Sequence, residues 1–182
     1  MVKTALFAVA LASAACTGAG AHASSSDDAR AAVQTVPHVD LQRYAGMWYE
    51  IANYPQFYQR KCARDTTAHY MPRSDSRIEV LNRCRTKDGG AEEADGEGTV
   101  VPDSGNAKLK VSFFWPFKGD YWIIGLDPDY RWTVVGTPDR KSLWVLSRTP
   151  QLTRDKLDLA LAAARQQGFD LKPLEYTLQT ER

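Results

Sequence analysis

Leu41-Gln42-Arg43-Tyr44-Ala45-Gly46-Met47-Trp48-Tyr49-Glu50-Ile51 is the stretch on which the reading of this chain turns. A polar turn of helix runs into a glycine, and Trp48 then opens a region rich in strand formers. Far downstream, Leu143-Trp144-Val145-Leu146-Ser147-Arg148-Thr149-Pro150 ends an apolar run with an arginine. The pair predicts a β-barrel whose floor is built from Gly46, Trp48 and Arg148, with the guanidinium stacked on the indole. Such a contact is worth about 0.5–2 kcal/mol, depending on desolvation. A barrel sealed at one end and open at the other is a cup. Gly-x-Trp alone is a weak signal, and it gains meaning from the strands downstream of it.

From Trp48 onward the chain reads as short strands bounded by Gly, Pro, Asp or Ser, over 47–54, 65–71, 77–84, 94–101, 107–114, 120–127, 131–137 and 142–148. This spacing predicts an all-β fold. An eight-stranded antiparallel up-and-down barrel has room for one small ligand. The strand 107–114 alternates, with Ala107, Leu109, Val111 and Phe113 on one face and Lys108, Lys110 and Ser112 on the other. Its lysines face water, so Leu109, Val111 and Phe113 look inward. Trp122-Ile123-Ile124 and Leu143-Trp144-Val145-Leu146 are apolar on both faces and need an outer cover. A C-terminal helix supplies it: Thr153 caps, Asp155 sits in the first turn, Leu157, Ala160, Leu161 and Ala164 form a stripe, and Gly168 stops it. A short edge strand is expected within Leu174–Leu178.

Three ordered blocks resemble the lipocalin family, in its bacterial, apolipoprotein D-like branch of outer membrane lipoprotein type. They are Gly46-Met47-Trp48-Tyr49-Glu50-Ile51, the run from Gly119-Asp120-Tyr121-Trp122 to Asp129-Tyr130, and Leu143 to Pro150 with Arg148. The second block reads Gly-Asp-Tyr where many relatives have Thr-Asp-Tyr. The resemblance spans roughly Val39 to Thr177. It implies a binding protein for a single-chain lipid, a fatty acid or lysophospholipid, serving lipid storage, transport or membrane maintenance.

With Trp48 facing inward, the pleat places Glu50, Ala52 and Tyr54 on the same face. In the family pattern the inward parity continues through Ala68, Tyr70, Val80 and Asn82, and then through Leu109, Val111, Phe113 and Tyr121. It ends with Trp132, Val134 and Trp144. Small residues beside aromatics leave room, and an apolar lining with few polar groups suits a small molecule. The competing reading is that these aromatics fill the interior.

The N-terminus reads as an export signal over residues 1–23, with Lys3 before a short apolar run. Cleavage after Ala21-His22-Ala23 would release a soluble protein. Leu11-Ala12-Ser13-Ala14-Ala15-Cys16 resembles a lipobox with Ser13 in place of leucine, and would leave Cys16 lipidated. Both routes lead to the cell envelope, as a periplasmic or an outer membrane protein. Residues 24–37 read as a flexible leader and 38–182 as the lipocalin domain. In that oxidising setting Cys62 and Cys84 are expected to form a disulfide across a hairpin. The formal charge of +1 leaves no basic footprint for nucleic acid.

Signals for catalysis are sparse. The chain has three histidines, His22, His38 and His69, none paired at helical spacing for a metal, so no metal or cofactor is expected. His69 alternates to the outer face. Glu50 is either a structural carboxylate, a headgroup contact or the acid of a lipid- or isoprenoid-transforming enzyme. The cluster Phe113-Phe114-Trp115-Pro116-Phe117 reads either as a packed turn or as an exposed contact for a membrane or a homodimer.

Overall fold

A computed structural model describes residues 31–180. One turn of helix, α1 (Leu41–Tyr44), begins at Asp40, whose carboxylate accepts the amides of Gln42 and Arg43. Eight strands come next: β1 (Gly46–Asn53), β2 (Cys62–Pro72), β3 (Arg77–Thr86), β4 (Ala91–Val100), β5 (Lys108–Phe114), β6 (Phe117–Leu126), β7 (Trp132–Gly136) and β8 (Leu143–Ser147). Each pairs antiparallel with the next, and β8 returns to β1, closing the barrel. After β8 come the helix α2 (Arg154–Gln166) and a two-residue strand, β9 (Glu175–Tyr176).

The closure between β1 and β2 is incomplete. These strands pair only from Gly46 opposite Tyr70 to Tyr49 opposite Thr67. Above that they part, and β9 enters the gap, pairing with Ala52 and Asn53 of β1. Up-and-down order puts the β1–β2, β3–β4, β5–β6 and β7–β8 connections at one end, the mouth. The helix α1 and the remaining connections lie at the floor.

Two apolar clusters divide the core. One fills the barrel and includes Tyr44, Trp48, Tyr70, Ile123, Val135 and Leu146. The other lies between the barrel's outer wall and α2, where Ile124, Val134 and Val145 meet Ala160, Leu161 and Ala164. This is the cover that the doubly apolar strands require. Gly125 lets α2 come close: a Cβ there would stand 2.8 Å from Ala163 Cβ. At its end α2 stops as the sequence predicts, with Gly168 at φ +78° and the Phe169 amide bonded to Ala164 O at 3.2 Å.

Residues 31–37 depart from the expected leader. Val33 is buried in the cluster beneath α2, and the Val36 amide donates to Ile123 O at 2.9 Å. The segment is alanine-rich and polar, and its two valines make no period, which hid this. The rest of the expected leader, the export signal and Cys16 lie outside the described residues. Strand β4 starts at Ala91, three residues before the expected 94. Its sequence, Ala-Glu-Glu-Ala-Asp-Gly-Glu-Gly, has little strand propensity, and its long ladder to β3 holds it extended. Cys62 and Cys84 are disulfide-bonded, with Cα atoms 5.5 Å apart. Irregular register around Arg64 sets Cys62 opposite Thr86 in the ladder, and the bridge reaches back to Cys84.

Candidate functional site: the barrel interior and its mouth

The floor is assembled from three separate segments. The Arg148 guanidinium carbon lies 3.9 Å from the Trp48 ring centroid. Its Nη1 donates to Met47 O at 2.8 Å and its Nη2 to Arg43 O at 2.6 Å. Trp48 Nε1 donates to Tyr44 O at 2.8 Å, so indole and arginine both tie α1 to the barrel. Gly46 holds φ +91°, a conformation that a Cβ would strain, and this lets the chain turn from α1 into β1. Partial burial holds the Arg148 pKa below its ordinary value.

Above the floor stands a chain of three phenols. Tyr121 donates to Tyr70 at 2.9 Å, which leaves Tyr44 to donate to Tyr121 at 2.8 Å. The Tyr44 ring lies 5.0 Å from that of Trp48 and 5.5 Å from that of Tyr70. Burial pushes the Tyr44 pKa up to about 12. Burial also raises Tyr70 and Tyr121. These side chains occupy the lower barrel, so free depth begins above them.

The register fixes the inner wall. Trp48 pairs with Ala68 and Glu50 with Leu146. Ala68 pairs with Asn82 and Tyr70 with Val80. Leu109 pairs with Tyr121. Val111 pairs with Gly98, and Trp144 pairs with Val135. Cross-strand partners share a face. These residues and Phe113, which packs with the barrel cluster, therefore all line the interior. The inner face of β4 is small, carrying Ala94, Gly96 and Gly98. Asn82 Oδ1 is buried with no donor among the described residues.

Four expected lining residues face the other way. A bulge between Glu50 and Ala52 reverses the parity of β1. Ala52 and Tyr54 consequently pack under α2 with Ile51, and the Tyr54 ring lies 6.3 Å from Phe169. Asn53 takes the inward place, paired with Trp144. Trp132 and Val134 also belong to the helix-side cluster, because Thr133 and Val135 are the inward residues of β7. Strict alternation continued through β1 predicts the wrong face, and β7, buried on both faces with Thr133 pointing inward, gives no polar–apolar alternation that marks its inner side.

Near the mouth, Glu50 is 4% exposed. Its carboxylate accepts from Asn53 Nδ2 at 2.7 Å, Thr177 Oγ1 at 2.6 Å and Gln59 Nε2 at 3.0 Å. All three donors are neutral, and no cation lies within ion-pair distance among the described residues. A cavity of about 390 Å³ opens beside it, lined in part by Asn53, Gln59, Arg60, Thr66, Lys87 and Thr177. Gln59 and Thr177 were missed by sequence reading, since no periodicity links a loop and the C-terminal tail to Glu50. His69, paired with the exposed Met47, lies on the outer face as its alternation predicts.

The family model of the lipocalin-like domain matches residues 39–179. The chain is 38% identical over 148 residues to the outer membrane lipoprotein Blc of Escherichia coli K12, covering 81% of this chain and 83% of that protein. It is 36% identical over 162 residues to temperature-induced lipocalin-1 of Arabidopsis thaliana, covering 82% and 84% respectively. Among solved structures, insecticyanin from the tobacco hornworm Manduca sexta superposes with a TM-score of 0.67 at 20% identity, covering 82% of this chain and 85% of that one.

Proposed function

This chain belongs to the lipocalin family, and from that premise we propose that its barrel binds a single-chain lipid, a fatty acid or lysophospholipid. The carrying observation is the contrast between the two ends of the barrel. The floor is sealed by Trp48, Arg148 and the three tyrosines, while the upper wall is lined with small and apolar residues, and a polar cavity opens at Glu50 near the mouth. An acyl chain would enter from the mouth, lie against Val80, Val111, Phe113 and Trp144, and stop at Tyr70 and Tyr121. Its headgroup would remain beside Glu50, Asn53 and the cavity. Each buried methylene adds about 0.8 kcal/mol before ordering costs. Glu50 is held by three neutral donors and has no ion-pair partner among the described residues, which supports a binding role over catalysis.

The reading extends to the cell envelope, with export through residues 1–23 and either release after Ala23 or lipidation of Cys16. The resemblance to outer membrane lipoproteins supports the second route. A membrane-bound protein that turns soluble on Cys16→Ser replacement would establish it, and a mature N-terminus at Ser24 would refute it.

A second reading is a barrel filled by its own side chains, and the tyrosines that occupy the lower half favour it. Native mass spectrometry of freshly purified protein separates the two. A lipid retained at one per chain and displaced by added fatty acid is the expected result. A bare chain that also takes up no fatty acid or lysophospholipid would leave the barrel a structural element.

A further inference from the structure

The mouth carries an apolar surface that the ligand site does not use. In the β1–β2 connection Phe57 is 75% exposed and Tyr58 56%. In the β5–β6 connection Phe114, Trp115 and Phe117 are 75%, 90% and 77% exposed. The order of strands around the barrel puts these two connections on opposite sides of the same rim. Five large aromatics thus project from one end of the molecule, where a soluble surface normally carries polar groups.

Their charged neighbours indicate what covers them. Arg60 comes just after Phe57-Tyr58, and Lys118 just after Phe117. Neither cation has a carboxylate within 4.0 Å among the described residues, while Lys61 is already paired with Glu92 at 3.1 Å. The carboxylates at this end include Glu50, which is held by Asn53, Gln59 and Thr177, and Asp88, Glu92, Asp139, Asp170 and Glu175, which lie on other connections or strands. Aromatic side chains flanked by unpaired basic residues match a bilayer interface, where rings settle at headgroup depth and cations meet anionic lipid. A second protein's apolar face would complement the rings and leave both cations without partners.

We propose that this rim docks on an anionic lipid bilayer, with Trp115 and Phe117 inserted on one side of the mouth and Phe57 on the other. Arg60 and Lys118 then contact lipid phosphates. Docked in this way, the mouth faces the membrane, and a lipid passing between bilayer and barrel need not cross water. The docking does not depend on what the barrel holds.

The test uses the full chain and vesicles of phosphatidylcholine and phosphatidylglycerol at 3:1, with bromine on the acyl chains as a quencher. The difference in emission between the wild type and Trp115→Phe isolates Trp115 whatever anchors the N-terminus. That signal is expected to shift to the blue and to be quenched by the brominated chains. With Phe57→Ser and Phe117→Ser together, the quenching of Trp115 should fall at least about tenfold at fixed lipid. Arg60→Glu with Lys118→Glu should weaken it by about tenfold at low salt, and added salt should narrow the difference. Trp115 left unquenched on vesicles that hold the protein would overturn the proposal. So would a blue shift that needs no lipid, rises with protein concentration and tracks a dimer in sedimentation, since the rim would then be a contact between copies.

Discussion

At the level of single residues, Arg148 does two things at once: it stacks on Trp48 and caps backbone carbonyls on either side of Gly46. Replacing it with Ala removes the stacking and leaves Met47 O and Arg43 O to water. A loss of about 1–3 kcal/mol is expected in urea unfolding. Lipid affinity of the folded variant should stay within about twofold, because the tyrosines separate Arg148 from the upper barrel. An affinity loss far exceeding the stability loss would place Arg148 in the pocket. The phenol chain makes a second prediction of this kind. Burial raises the folded pKa of Tyr44, to about 12, and of Tyr70 and Tyr121. Above pH 10 the unfolded chain loses phenolic protons that the folded chain keeps, so stability must fall as pH rises. The slope is about 1.4 kcal/mol per pH unit for each tyrosine still protonated in the fold. Unfolding free energies measured from pH 8 to 11.5 should be flat below about pH 9 and fall steeply above pH 10, less steeply in Tyr44→Phe. A flat profile through pH 11 would mean that the phenols are not buried as described.

Among the elements, the contact between α2 and β6 depends on a missing side chain. A Cβ at Gly125 would meet Ala163 Cβ at 2.8 Å, and both atoms belong to backbone-fixed groups that cannot rotate away. Gly125→Ala should therefore push α2 outward and cost about 1–3 kcal/mol. Leu159→Ala, on the exposed face of the same helix, should cost little. Chemical denaturation of the two variants makes the comparison, and equal losses would mean that α2 is loosely seated. The bulge in β1 acts at the same level. By adding one residue between Glu50 and Ala52 it turns Ile51, Ala52 and Tyr54 toward α2, and aims Glu50 and Asn53 inward together. Asn53 Nδ2 can then reach the Glu50 carboxylate.

For the molecule as a whole, the cup reading becomes a measurement of depth. Trp144 faces the interior and Trp132 the helix, so lipid uptake should alter the emission of Trp144 alone. Trp144→Phe should abolish the ligand-linked change, and Trp132→Phe should leave it. Affinity should rise about fourfold per methylene, the equivalent of about 0.8 kcal/mol, until the chain reaches Tyr70 and Tyr121. Beyond that it should level off. Val111→Trp, on the inner wall, should shorten the preferred chain. Titrations across a series of acyl lengths provide the check, and affinity indifferent both to length and to Val111→Trp would place the lipid outside the barrel.

The barrel, its closed floor, the covering helix and the disulfide were all legible along the chain. Those features rest on local signals: Gly46 before Trp48, alternation in residues 107–114, the leucine stripe before Gly168, and two cysteines flanking one hairpin. Their physics acts over a few residues or through one strong pair, so linear reading reaches it. Which wall residues face inward near the mouth, and what surrounds Glu50, emerged only in three dimensions. One bulge inverts every later side chain of β1, and its position depends on register with β8 rather than on the residues of β1. The Glu50 site draws on β1, on the loop at Gln59 and on the tail at Thr177, far apart in the chain. The packing of Val33 beneath α2 is of the same kind, because a short irregular segment acquires its place only once the surface that buries it exists.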